Sequence, residues 1–303
     1  MAQPSLIGKR VVVIHDKAPL AVSGKTAATA GECSVFTVDK VDGEWLWIKS
    51  ERAYLRRADV VPFDEAIGHY TRLLETNQTA NNYWNRAQIW RLKGELDIAL
   101  GDMNDAIRLN SKVAAWFGNR GILWADKNEY DKAIADYSEA IRLDPKLGEA
   151  YSLRGNTWNN KKHFDKAIAD YDEALKHIDP NKTVLVVHHS QLTGGDSIPM
   201  VNLRALTLNN RGDIWCHKGD YDKAIADCEE AIRLDPKYED PRNGRRAVWG
   251  AQKAWDKIIS DCDADLRSKP QSISLGSTGD PGRSVLELRK TVEVEVTAWQ
   301  GAA

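Results

Sequence analysis

Apolar and small residues return every three or four positions in YDKAIADYSEAIRLDP, residues 130–145. That spacing predicts an amphipathic helix that stops before Pro145. The pattern recurs as FDKAIADYDEALKHIDP at 164–180 and YDKAIADCEEAIRLDP at 221–236, with looser copies at 96–110 and 255–270. Ala99, Ala133 and Ala167 stand 34 residues apart, as do Ala224 and Ile258. Ala167 to Ala224 is 57, which is 34 plus an insertion of 23. A fixed period of this length predicts stacked helix pairs, each hiding its apolar face on its neighbours. The fold class is therefore mostly α, an α-solenoid of antiparallel helix pairs.

Counted from Ala80, Ala114, Gly148, Ala205 and Glu239, small residues recur where two helices must cross closely. Position 8 is Ala87, Gly121, Gly155 and Gly212, and position 27 is Ala106, Ala140, Ala174 and Ala231. Trp90, Trp124, Trp158, Trp215 and Trp249 hold position 11 in all five repeats. This pattern resembles the tetratricopeptide repeat over residues 63–270. The fifth copy departs at its small positions, with Arg246, Ile258 and Asp265, as terminal repeats of solenoids commonly do. Position 7 is Arg86, Arg120, Arg154, Arg211 and Arg245, and position 23 is Asp102, Asp136, Asp170, Asp227 and Asp261. The constant offset of 16 predicts a ladder of Arg–Asp pairs within the repeats, because a partly buried Arg needs such a partner.

The resemblance implies a concave face made by the first helix of each repeat. The residues it would place there include Trp84, Asn85, Gln88, Arg91, Asn119, Asn156, Asn159, Asn209, Asn210 and Asp213. Amide side chains both donate and accept, so such a face suits the backbone of an extended peptide, and an accessible Trp is a common anchor. Members of the family that hold the carboxyl end of heat-shock chaperones carry Lys, Asn and Arg at set groove positions. Of these this chain keeps only Asn119, with Trp84, Gln88, Glu149 and Leu153 at the others, which disfavours that role.

Residues before 63 break the period. Short β-type runs lie at 10–15, 34–41 and 44–50, with a weaker one near 54–57, and Asp42-Gly43 signals a hairpin. A polar loop is expected at 16–31. The VDGEWLWI hairpin and the ending YLRRADVVP resemble bacterial SH3-like domains, which implies a small barrel. In it one of Trp45 and Trp47 would pack the interior and the other would seal against the first repeat helix; an aromatic peptide groove that includes Tyr54 is the alternative. Ser23-Gly24-Lys25-Thr26 has Pro19 where a phosphate loop needs Gly, so nucleotide binding is not expected.

Composition narrows the function classes. A formal net charge of −2 over 303 residues gives no strong pull toward nucleic acid or an anionic membrane. No apolar run reaches the roughly 20 residues of a membrane span, and MAQPSLIGKR lacks a signal-peptide core, so a cytoplasmic location is expected. Cys33, Cys216, Cys228 and Cys262 show no C-x-x-C pair, and the last two share a repeat position, which predicts core thiols. His188-His189 lacks Cys, Asp or Glu at ligand spacing, so no metal and no cofactor are expected. No nucleophile–base pair or paired carboxylate stands out, and the chain is not expected to be an enzyme.

The expected organisation is an SH3-like β-barrel over 1–62, a capping half-repeat over 63–79 and repeats one to three over 80–181. An insertion loop follows over 182–204, then repeats four and five over 205–270, and a linker with a capping helix over 271–303. The stretch 184–187 (VLVV) is expected to fold back on the array. The functional expectation is a scaffold that binds a peptide or protein segment of unknown identity in the groove. The alternative is a structural spacer or self-associating array.

Overall fold

The computed structural model of the chain describes residues 6–22, 25–30, 33–185 and 200–268. The expectations for 186–199 and for 271–303, including the packing of the insertion, His188-His189 and the capping helix, lie outside the described residues. The chain divides into two compact units, one of Met1–Ile178 with Val184–Met200, the other of Asp179–Thr183 with Val201–Ala303.

The first unit opens with eight strands: β1 (Arg10–Val13), β2 (Ala18–Val22), β3 (Lys25–Ala30), β4 (Val35–Thr37), β5 (Lys40–Asp42), β6 (Trp45–Ile48), β7 (Ala53–Arg56) and β8 (Val60–Pro62). They form two antiparallel sheets, ordered β4-β1-β8 and β3-β2-β7-β6-β5, and the expected closed barrel is not formed among the described residues. The loop expected at 16–31 is also corrected, since it contains β2 and β3. Leu20 and Ala21 are buried, and toward β7 only Ala21 is paired, with Tyr54. Pro19, which cannot donate, fits such a sparsely paired ladder. The hairpin at Asp42-Gly43 forms between β5 and β6, with Gly43 at φ 59°, a conformation glycine adopts without a Cβ clash.

Leu46 and Ile48 on β6 and Leu55 on β7 enter the core with Val11, Val13, Leu20 and Val38. Period-2 alternation then turns Trp45, Trp47 and Tyr54 to the other face. Trp47 lies 4.8 Å from the Tyr54 ring and Arg56 covers Trp45 at 5.6 Å. Neither Trp fills the interior, contrary to the expectation. On β1, Val12 faces away from that core and packs with Phe63, Ala66, Tyr70 and Ile89. Both faces of β1 are covered, which explains its unbroken apolar run.

Helices follow: α1 (Ala66–Thr76), α2 (Ala80–Leu92), α3 (Leu96–Leu109), α4 (Ala114–Asp126), α5 (Tyr130–Leu143), α6 (Gly148–Asn160) and α7 (Phe164–His177). Second helices α3, α5 and α7 each carry an Asp in the first turn, Asp97, Asp131 and Asp165, at the positive end of the helix dipole. Small residues set the crossings. A Cβ on Gly121 would come within 2.6 Å of the buried Tyr137 ring, and one on Gly155 within 2.8 Å of Tyr171. Lys132 lies 4.5 Å from the Trp124 ring and Lys166 4.3 Å from Trp158, so in these two repeats the position-11 Trp is shielded by a Lys of its own second helix.

The second unit holds α8 (Leu203–Lys218), α9 (Tyr221–Leu234), α10 (Asp240–Ala251) and α11 (Trp255–Ser268). Two short strands, β9 (Thr183–Leu185) and β10 (Met200–Asn202), lie where the chain passes from one unit to the other. Asn202 caps α8: its Oδ1 accepts from the Ala205 N–H at 3.1 Å and its Nδ2 donates to the Pro180 carbonyl at 2.6 Å. Cys228 and Cys262 are buried as core thiols. Desolvation, with Asp213 and Asp227 adding to it, pushes Cys228 up to about 12.

Candidate functional site

The arginines at position 7 are structural. Arg86, Arg120, Arg154 and Arg211 each clasp the Asp 16 residues on through Nε and Nη2, at 2.6–2.9 Å. The bidentate fork matches the carboxylate plane, and the aspartates are nearly buried. In three of them Nη1 adds a third bond, to a second partner that sequence alone did not suggest. It donates to Thr71 from Arg86, to Asn104 from Arg120 and to Ser138 from Arg154, at 3.1, 2.8 and 3.0 Å. One guanidinium thus ties the two helices of its repeat and the helix before them.

In the first unit, the first-helix residues expected in the groove divide by environment. Asn85 is fully enclosed, and neither amide atom has a partner among the described residues; it does not face solvent. Trp84 is half-buried against the core of the first helix pair, 6.1 Å from the Trp116 ring, with its Nε1 buried and unpaired among the described residues. Arg91 is held by Asp126 at 2.6 Å, an ion pair that joins α2 to α4. Asn119 donates to the Ala115 carbonyl and Asn156 accepts from the Tyr171 hydroxyl at 2.6 Å. Gln88 and Asn159 remain partly accessible.

In the second unit, α8 and α10 present a more defined surface. Asn209 is 7% exposed, Asn210 is half-buried and Asp213 is open to solvent. Asn209 makes no hydrogen bond to another described residue. Gly244 on α10 lies opposite: a Cβ there would sit 3.9 Å from Asp213 Oδ1 and 4.0 Å from Asn209 Oδ1. Gly244 and Asp240 are residues of this face that the sequence reading does not single out, since it treats the fifth copy as an atypical terminal repeat. Desolvation raises the Asp213 carboxyl; His217 opposes that shift and Asp240 adds to it. The Tyr238 hydroxyl is raised too, by burial first and then by Asp240.

Among the described residues, no group of three or more His, Cys, Asp or Glu is placed to hold a metal, and no helix is long and apolar enough to cross a membrane.

The family pattern described as "Tetratricopeptide repeat" matches residues 205–238, the α8–α9 pair, and that described as "TPR repeat" matches 124–158. No curated protein matches the chain in sequence. Among solved structures, yeast Tom70 is similar over 76% of this chain and 43% of its own, at 18% identity and a TM-score of 0.55. Cut9–Hcn1 of the APC/C matches over 76% of this chain and 39% of its own, at 17% identity and a TM-score of 0.53. A tetratricopeptide repeat protein from Parabacteroides merdae matches over 80% of this chain and 82% of its own, at 17% identity and a TM-score of 0.52. The chain spans less than half the length of the first two. With its 34-residue period, its small-residue crossings and these matches, the helical part of this chain is an array of tetratricopeptide repeats.

Proposed function

We propose that the chain is a non-enzymatic scaffold whose first-helix faces hold a peptide or protein segment. The observation that carries this reading is the contrast between two sets of polar side chains. The position-7 arginines are fully engaged by their aspartates, whereas Asn209, on the face expected to line the groove, is nearly buried with its amide unengaged. An amide held in place without a partner is available to the backbone of a bound segment. The similarity to Cut9, solved as a hetero-tetramer with Hcn1, is consistent with repeats of this kind serving assembly.

Retention of partners from a cell extract by the full chain and by a Gln88→Ala, Asn159→Ala, Asn209→Ala variant tests the reading. Trp84 is unsuited to this purpose because it packs on the core. Partners that the chain retains and the variant loses support the groove; the same partners held equally by both leave the spacer or self-associating role.

A further inference from the structure

The α8–α10 face of the second unit differs from the amide-rich face of the earlier repeats in carrying carboxylates with no cation against them. Neither Asp213 nor Asp240 forms an ion pair with a described residue. On the first-helix face of the earlier repeats a carboxylate, Asp126, is held by Arg91. The charged and titratable groups around Asp213 are few. His217 lies one turn on along α8 and donates from Nδ1 to the Asp213 carbonyl at 2.8 Å. From α10 come Asp240 and, further off, Arg245, which is committed to Asp261. Cys216, Cys228 and the Tyr238 hydroxyl, which hydrogen-bonds Asp240, are the other titratable groups near it.

A second, independent feature points at a ligand. The point where residue 244 would carry its Cβ lies 3.4 Å from the Cys228 sulfur, 3.9 Å from Asp213 Oδ1 and 4.0 Å from Asn209 Oδ1. Residue 244 is glycine, so a space about the size of one methyl or ammonium group is left there, floored by the Cys228 sulfur and edged by a carboxylate oxygen and a nearly buried, unengaged amide oxygen. Two oxygen acceptors that converge on one gap, with a further carboxylate at its edge, accept hydrogen bonds and offer negative charge. An ammonium or guanidinium group donates several and brings the opposite charge.

We propose that this face is a subsite for a cationic side chain, lysine or arginine, of an extended peptide segment laid across repeats four and five. Asn209 and Asp213 accept from the cation, Asp240 supplies longer-range attraction, and Gly244 gives the clearance. The inference rests on the scaffold reading and adds the chemistry of the bound residue.

The test is an NMR titration of the isotope-labelled full chain with three capped pentapeptides, acetyl-Gly-Ser-X-Ser-Gly-amide, where X is lysine, arginine or norleucine. The lysine and arginine peptides should shift amide signals of α8 and α10, and the norleucine peptide should bind about tenfold more weakly or less, as expected for loss of a charged hydrogen bond. Asp213→Asn should weaken the cationic peptides to the norleucine level. Gly244→Ala should weaken all three by filling the gap. Asp213→Asn is not expected to unfold the protein: a carboxyl raised in the fold destabilises it above the carboxyl's ordinary range, and an amide removes that burden. Thermal melting of the variant checks this. Equal binding of all three peptides at α8 and α10 overturns the cationic subsite while leaving the scaffold reading intact. Absence of any response at these helices to the lysine and arginine peptides, or unchanged binding by a stably folded Asp213→Asn, overturns the subsite as well.

Discussion

Gly121 and Tyr137 are a pair in which each side chain, or its absence, requires the other. The Tyr137 ring is buried and occupies the volume a Cβ on residue 121 would need, at 2.6 Å. Gly155 and Tyr171 repeat the arrangement one repeat later. In the first repeat the same positions hold Ala87 and Met103, and in the fourth they hold Gly212 and Cys228. The smaller Cys leaves room: a Cβ on Gly212 would lie 3.4 Å from its nearest neighbours and 3.7 Å from the Cys228 sulfur. Gly121→Ala should therefore destabilise by about 1–3 kcal/mol through overpacking. Gly212→Ala, where helix propensity favours alanine by up to about 1 kcal/mol, should be neutral or stabilising. Urea unfolding followed by circular dichroism separates the two, and equal losses at both positions would contradict the packing account.

At the scale of the element, the Arg–Asp pairs staple helices rather than decorate them. Arg120 reaches Asp136 at 2.8 and 2.7 Å and Asn104 at 2.8 Å, touching α4, α5 and α3 at once. Its guanidinium is partly accessible while Asp136 is nearly buried. Arg120→Leu leaves that carboxylate without its cation and should cost about 1–3 kcal/mol, below the full figure for a deeply buried charge. Adding Asp136→Leu should restore most of the loss, since two apolar groups replace the pair. Asp136→Leu alone should fall nearer Arg120→Leu than the double variant. A double-mutant cycle by thermal denaturation measures the coupling; additive effects would mean that the bond is solvated and contributes little.

Across the whole molecule, the fifth helix pair is built on a different principle from the four before it. Where the others cross on Gly or Ala, it has Arg246 and Asp265, and these two side chains bond each other. Arg246 is 5% exposed and its Nε donates to Asp261 at 2.6 Å. The pair's apolar cluster is small, centred on Trp249, Ile258 and Cys262. The departures at Arg246 and Asp265 are together one substitution of a buried ion pair for a small-residue contact. Removing one partner of such a cluster strands the others. Arg246→Ala should lower amide-exchange protection in α10 and α11 by about 3 kcal/mol or more, up to global opening of that pair. The sheets formed by β1–β8 should keep their protection, because solenoid stability is close to a sum of neighbour terms. Uniform loss across the chain would show a single cooperative unit instead.

The repeat was legible because its cause is local and periodic. A helix pair with small residues at its crossing writes the same spacing into the chain each time, and the five pairs begin at or within two residues of the counted starts. The Arg–Asp pairing could be read for the same reason, since a constant offset of 16 in antiparallel helices brings fixed levels together. Tertiary structure alone decided what depends on non-local neighbours. It put β2 and β3 where a polar loop was expected at 16–31, because Leu20 had a core to enter. It turned Trp45 and Trp47 outward, because Leu46 and Ile48 took the inner face of the same strand. It enclosed Asn85, and it brought Gly244 opposite Asn209 and Asp213. Period in a sequence records how each element meets its like; which side chain is left without a partner depends on elements far away in the chain.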